Sequence, residues 1–348
     1  MPWPQAHLRP DTIWPLTEGA GVTVAVVGSG VDDASGLLAG RLSRKARLFD
    51  GGPATDCAGH GTFTAGLIAA ARTPGTGFSG IAPRARILDV PVTDRRGNTT
   101  PDLLGAGIRV AADGGARVIA VVAVAGSDSP SLSGAVRYAV AKGAVVIAPV
   151  SADADTRGPA YPAAHPQVLS VAATTPGGAP ARLTPVGRVD LTAPGEAVMG
   201  PGPGGKGQFT ASGPSYAAAL VAGTAALVLG YRPDLGGAAL AHRLRATASG
   251  PAGVDPVAAV TAVLPEEQKV PAPSLPSGTR ATATGVAMPP DPGPSAAGPA
   301  YLVSAGALAV ALGVAGAAVV VPGGRRRGWR PGRYQAPAAE RKHTTEAL

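Results

Sequence analysis

Five short runs built almost wholly of Val, Ile, Leu and Ala constrain this chain most. They cover residues 22–27, 85–92, 117–124, 144–150 and 168–173. A strand with one wet face alternates apolar and polar residues, whereas a strand covered on both faces does not. Between and after the runs lie helical patterns at 60–71, 102–113, 131–142, 215–229 and 236–247. This alternation predicts an α/β fold: a mostly parallel sheet between layers of helices. In such sheets, sites gather at the carboxyl ends of strands. The first run ends there, in "VAVVGSGVDD".

Composition narrows the classes. Of 348 residues 45% are hydrophobic but only 4% aromatic, so a core must be built from small and aliphatic side chains. That apolar share excludes wholesale disorder, despite 50 Gly and 36 Pro. The net charge of +8 is concentrated at one end. From Arg325 onward there are seven Arg or Lys against two Glu, which is five of the eight charges. A basic tail is not a nucleic-acid groove, and no nucleic-acid partner is expected. With one cysteine, Cys57, no internal disulfide is possible, and a catalytic role for it is disfavoured. The five His and Cys57 form no metal-ligand spacing, so neither metal nor cofactor is expected.

The chain divides by composition. Residues 1–19 lead into a globular domain over 20–263. Residues 264–299 are rich in Pro, Ser and Gly and read as a semi-extended linker. Residues 300–321 ("AYLVSAGALAVALGVAGAAVVV") carry no charge, and roughly 20 such residues cross a bilayer core. The basic stretch "GGRRRGWRPGR" follows within the tail 322–348 and reads as a cytoplasmic stop-transfer signal. A single-pass anchor in the cell membrane, with the domain outside, is therefore expected. Residues 1–19 have no basic or apolar leader pattern, so the export signal this orientation needs is not legible. A cytosolic domain with a tail anchor is disfavoured, because the Arg cluster would have to cross the membrane.

Two stretches could carry chemistry. "DCAGHGTFTAGLIAA" places His60 at a helix head, and "SGPSYAAALVAGTAALV" places Ser215 at a helix start. A serine there lies near free backbone donors and the positive end of the helix dipole. Taken singly, His60 reads as a structural histidine and Ser215 as a cap. Their order and surroundings resemble the subtilisin-like serine proteases (subtilases). "GAGVTVAVVGSGVD" is similar to the family's first active-site segment, and the His60 and Ser215 stretches to its histidine segment and serine helix. "SGIAPRARILDVPV", "YPAAHPQVLSVAATT", "VDLTAPGEAV" and "YRPDLGGAALAHRLRATA" extend the likeness over about residues 20 to 250. The domain, Pro-rich linker, single span and basic tail together resemble the mycosins, subtilases associated with type VII secretion in actinobacteria.

The resemblance implies a subtilisin-like three-layer fold, with Ser215 as nucleophile and His60 as general base. It also exposes losses. The position of the triad aspartate is Gly28, and the oxyanion asparagine aligns with Ala152. The third strand, "VIAVVAVAG", lacks the polar substrate-binding edge. In subtilisin, losing the acid alone costs about 3 × 10⁴ in kcat, and losing an oxyanion donor about 10²–10³; such effects need not add. Asp32, Asp33 and Asp56 are the nearby acids that could step in.

Two readings follow. The favoured one is a membrane-anchored homologue with impaired catalysis, which binds or supports components of a type VII secretion apparatus. The other is a serine endopeptidase acting on a peptide or protein substrate through Ser215, His60 and a rescuing acid.

Overall fold

In the computed structural model, the described residues are 1–44, 48, 56, 58–73, 75, 77–153, 158–181, 187–202 and 207–267. Cys57, the linker after residue 267, residues 300–321 and the basic tail lie outside them. Met1–Val270 form one compact unit.

Seven strands make one sheet: β1 (Thr23–Gly28), β2 (Leu42–Arg44), β3 (Arg86–Pro91), β4 (Val118–Val121), β5 (Val145–Pro149), β6 (Leu169–Thr174) and β7 (Leu191–Pro194). Their order is β2-β3-β1-β4-β5-β6-β7, and every pairing is parallel. All five apolar runs are strands of this sheet, as their continuity predicts. Side chains alternate between faces along a strand, so each run divides its residues between two cores. Val24 and Val26 of β1 join one core, and Ala25 and Val27 the other.

The helices are α1 (Trp3–Leu8), α2 (His60–Ala69), α3 (Pro101–Asp113), α4 (Pro130–Ala141), α5 (Pro214–Tyr231), α6 (Gly237–Ala246) and α7 (Pro256–Thr261). Helices α3 and α4 cover the Ala25 face with Leu104, Ile108, Leu132 and Val136. Helices α2, α5, α6 and α7 cover the other. The starts of α3 and α4 follow from sequence. Thr100 and Ser129 accept bonds from the N–H groups of Leu103 and Leu132, and a proline follows each cap.

Helix α5 is apolar all round, and every residue from Pro214 to Leu229 is buried. Among the described residues it is the one helix long and apolar enough to cross a membrane, yet it is the central helix of this core. Its Ala and Gly residues allow close approach: a Cβ on Gly223 would lie 2.7 Å from Ile81 Cβ. A two-stranded hairpin, β8 (Val198–Pro201) with β9 (Gln208–Ala211), sits against α2, where Gly200 packs on Phe63.

The topology fixes where chemistry can occur. The chain leaves β1 for the β2–β3 edge, then returns to β4 on the other side of β1. The carboxyl ends of β1, β4 and β5 therefore flank a crevice at a switch point.

Candidate active site

Helix α2 begins at His60 because backbone and side chains act together there. Gly59 sits at φ 74°, a left-handed conformation open to glycine. The α2 head packs so tightly on the loop after β1 that a Cβ on Gly61 would lie 2.0 Å from the Gly30 carbonyl oxygen. Buried Asp56 satisfies the free donors of the first turn. Its Oδ1 accepts from Ser29 Oγ at 2.8 Å and from the Gly59 N–H at 2.9 Å, and its Oδ2 from the Thr62 N–H at 2.8 Å. Ser29 Oγ in turn accepts from the Gly61 N–H at 2.9 Å.

Asp32 and Asp33 are also occupied. Asp32 accepts from the Ala34 N–H and its own N–H donates to Thr62 Oγ1; Asp33 accepts from the Leu38 N–H. These are loop and cap contacts. None of the three acids near in sequence touches His60, and among the described residues no hydrogen bond reaches its Nδ1.

Position 28 has no room for a side chain. A Cβ added there would lie 2.7 Å from Val122 Cγ2. Val122, just past β4, is buried and takes the room a side chain at 28 would need.

Ser215 is the second residue of α5, behind Pro214, and is buried. Its Oγ lies 2.8 Å from His60 Nε2, so the two residues the sequence singles out meet across 155 positions. The ring of Tyr216 packs on His60 with centroids 5.4 Å apart and on Phe63 at 4.7 Å. Burial, aided by the charge of Asp153, pushes the Tyr216 phenol well above the ordinary tyrosine range.

Sequence reasoning did not single out Asp153. Its Oδ1 accepts from the Ser215 N–H at 3.0 Å. Its Oδ2 accepts from Ser215 Oγ at 2.5 Å and lies 2.8 Å from His60 Nε2. Ala152, which the family resemblance puts at the position of the oxyanion asparagine, lines the adjacent cavity and has no polar group in its side chain. The side chain on the Ser215 N–H thus comes from the next residue. The available signal was modest: Asp153 is the first acid after β5, at the carboxyl end where sites gather.

Two cavities meet at Asp153. One, of about 230 Å³, is walled by His60, Val122, Ala123, Pro149 and Ala152. The other, of about 290 Å³, lies toward Glu196, Ser212 and Gly213. Larger hollows of about 540 and 530 Å³ lie near Trp14 and Arg41, and neither is lined by His60 or Ser215. Among the described residues no group of His, Cys, Asp or Glu is arranged to hold a metal ion.

The profile of the subtilase family, Peptidase S8, matches residues 19–272. The chain belongs to the subtilase family. Its mycosin relatives include Mycosin-3 of Mycobacterium tuberculosis, 33% identical over 93% of this chain and 84% of that protein. Two solved structures align over most of the chain. MycP1 with its N-terminal propeptide removed has a TM-score of 0.67 and 31% identity, covering 76% of this chain and 98% of that one. The MycP3 protease from the type VII (ESX-3) secretion system has a TM-score of 0.63 and 32% identity, covering 75% and 88%. The subtilisin-like three-layer architecture and the mycosin likeness expected from the sequence both stand.

Proposed function

We propose that this chain is a mycosin-type subtilase homologue of a type VII secretion apparatus, with strongly impaired hydrolysis, that works by binding or structural support. The apparatus is inferred from its relatives, among them the serine protease MycP1, an essential component of the type VII (ESX-1) secretion system. In this reading residues 264–299 are a linker, 300–321 anchor the protein in the cell membrane, and 322–348 face the cytoplasm.

One observation carries the impairment. His60 Nε2 meets Ser215 Oγ while, among the described residues, no carboxylate reaches Nδ1; position 28 is glycine and Val122 fills its space. The acid of a triad fixes the imidazole tautomer and stabilises the imidazolium that forms as the serine loses its proton. Without it, a loss on the order of 10⁴ in rate follows. The test is fluorophosphonate labelling of the purified protein, with Ser215→Ala as control. We expect labelling at least 10³-fold slower than an intact subtilase. Ser215-dependent labelling at an intact enzyme's rate would refute the impairment.

The 2.8 Å contact between Ser215 and His60 favours a second reading, a slow endopeptidase. That reading requires Ser215→Ala to abolish function in cells, whereas the scaffold reading leaves complementation intact.

A further inference from the structure

We infer that Asp153 is a built-in occupant of the oxyanion seat, holding the site in a self-blocked form. The inference rests on the reading of Ser215 and His60 as a serine-hydrolase pair, and assigns the side chain that governs it.

The seat is defined by the helix start. Pro214 has no N–H, so the Ser215 N–H is the leading donor of α5, beside the nucleophile and at the positive end of the helix. A substrate carbonyl attacked by Ser215 Oγ would place its oxygen on that donor. Asp153 Oδ1 already sits there, at 3.0 Å. The fit depends on Gly213, where a Cβ would fall 2.1 Å from Oδ1 and 2.3 Å from the carboxyl carbon. The missing side chain at 213 thus makes room for the carboxyl group.

The second oxygen disables the pair. An ionised Oδ2 can only accept, so it takes a hydrogen bond from the Ser215 hydroxyl and one from His60 Nε2. His60 Nε2 lies 2.8 Å from both Oγ and Oδ2. With the hydroxyl proton directed to Oδ2, both Nε2 contacts require that nitrogen to be the donor. A protonated Nε2 has no lone pair to take the serine proton. One carboxylate therefore fills the seat, occupies the hydroxyl and engages the base. An incoming carbonyl oxygen would also meet a negative charge where it needs a donor.

An asparagine at 153 keeps the shape but removes the charge, and an NH2 in place of Oδ2 can no longer accept the Ser215 proton or hold a proton on Nε2; the amide also offers a developing oxyanion a donor in place of a negative charge. The experiment measures fluorophosphonate labelling of full-length wild type, Asp153→Asn, Asp153→Ser and the Asp153→Asn/Ser215→Ala double variant. Mass spectrometry locates the adduct, and thermal denaturation checks folding. In labelling, the Ser215 Oγ–P bond forms, the P–F bond breaks, fluoride leaves, and the hydroxyl proton passes to His60 Nε2. The phosphoryl oxygen needs the same seat as a carbonyl.

We expect Asp153→Asn to label at Ser215 at least tenfold faster than wild type, and the double variant not to label there. A folded Asp153→Asn protein that gains less than tenfold overturns the inference. Where that variant does not fold, Asp153→Ser decides, with a threshold of threefold because it removes the charge without restoring an amide. The absolute wild-type rate tests the impairment reading separately, and the ratio between variants tests the occupant.

Discussion

On the proposed reading that position 28 has lost a triad acid, Gly28→Asp is the natural attempt to restore it, and packing predicts that it fails alone. A Cβ at 28 falls 2.7 Å from Val122 Cγ2, and Val122 is held between packed strands with its N–H bonded to the Val27 carbonyl at 3.0 Å. Overpacking a dense core costs about 1–3 kcal/mol. For a domain of this size each kcal/mol lowers Tm by about 2–4 °C. Gly28→Asp should therefore melt about 2–12 °C below wild type. Val122→Ala alone removes two buried methyl groups, costing about 1–3 kcal/mol in lost transfer energy and cavity. In combination the two changes compensate, because the space vacated at 122 receives the carboxyl group. The double variant should be no less stable than Val122→Ala, giving a coupling of about 1–3 kcal/mol in a double-mutant cycle. Thermal and urea denaturation of the four proteins measure it. Additive effects would refute the argument that Val122 occupies the space a side chain at 28 would need. So would a Gly28→Asp protein as stable as wild type.

Other consequences are simpler to test. Asp56→Ala strands buried donors at the head of α2, where the carboxylate accepts from Ser29 Oγ and the N–H groups of Gly59 and Thr62. Unsatisfied buried donors cost about 1–3 kcal/mol each, so a Tm fall of about 6 °C or more is expected; a fall under about 2 °C would show that water replaces the carboxylate. Tyr216, its phenol pushed up by burial and by Asp153, stays neutral through the range in which a free phenol ionises. The unfolded chain gives up that proton near pH 10 and the folded one only above it. Its contribution to stability is thus fully present below about pH 10 and is lost as pH rises further. Urea denaturation across about pH 9–11 should show a decline that Tyr216→Phe flattens.

The strands were legible because burial on both faces writes itself as uninterrupted Val, Ile and Ala, and all five such runs lie in the sheet. The shorter elements carry no such signal. Strand β2 has three residues at a sheet edge, and β9 exposes Gln208 and Phe209, so neither shows an apolar run. His60 and Ser215 were legible from their glycine-flanked helix starts and from family order. Asp153 was not, since only folding brings its carboxylate onto a residue 62 positions away. The filling of the Gly28 space by Val122 was equally hidden, for it depends on the register that sets β1 beside β4.

The position of a carboxylate relative to an imidazole decides what it does to the base. Placed at Nδ1, it fixes the ring with Nε2 unprotonated and gains energy as the serine proton arrives. Placed at Nε2, it competes with the serine for the same nitrogen and favours a proton already there. Among the described residues no acid bonds Nδ1, and one, Asp153, stands at Nε2, packed against Gly213. On the proposed reading, charge near the ring is retained while its effect on proton transfer is inverted. It follows that Gly28→Asp with Val122→Ala restores little activity while Asp153 remains, and that adding Asp153→Asn gives more than either change alone. If adding Asp153→Asn to the Gly28→Asp/Val122→Ala protein leaves its labelling rate at Ser215 unchanged, the two sides of the ring act independently and this account of the site is wrong.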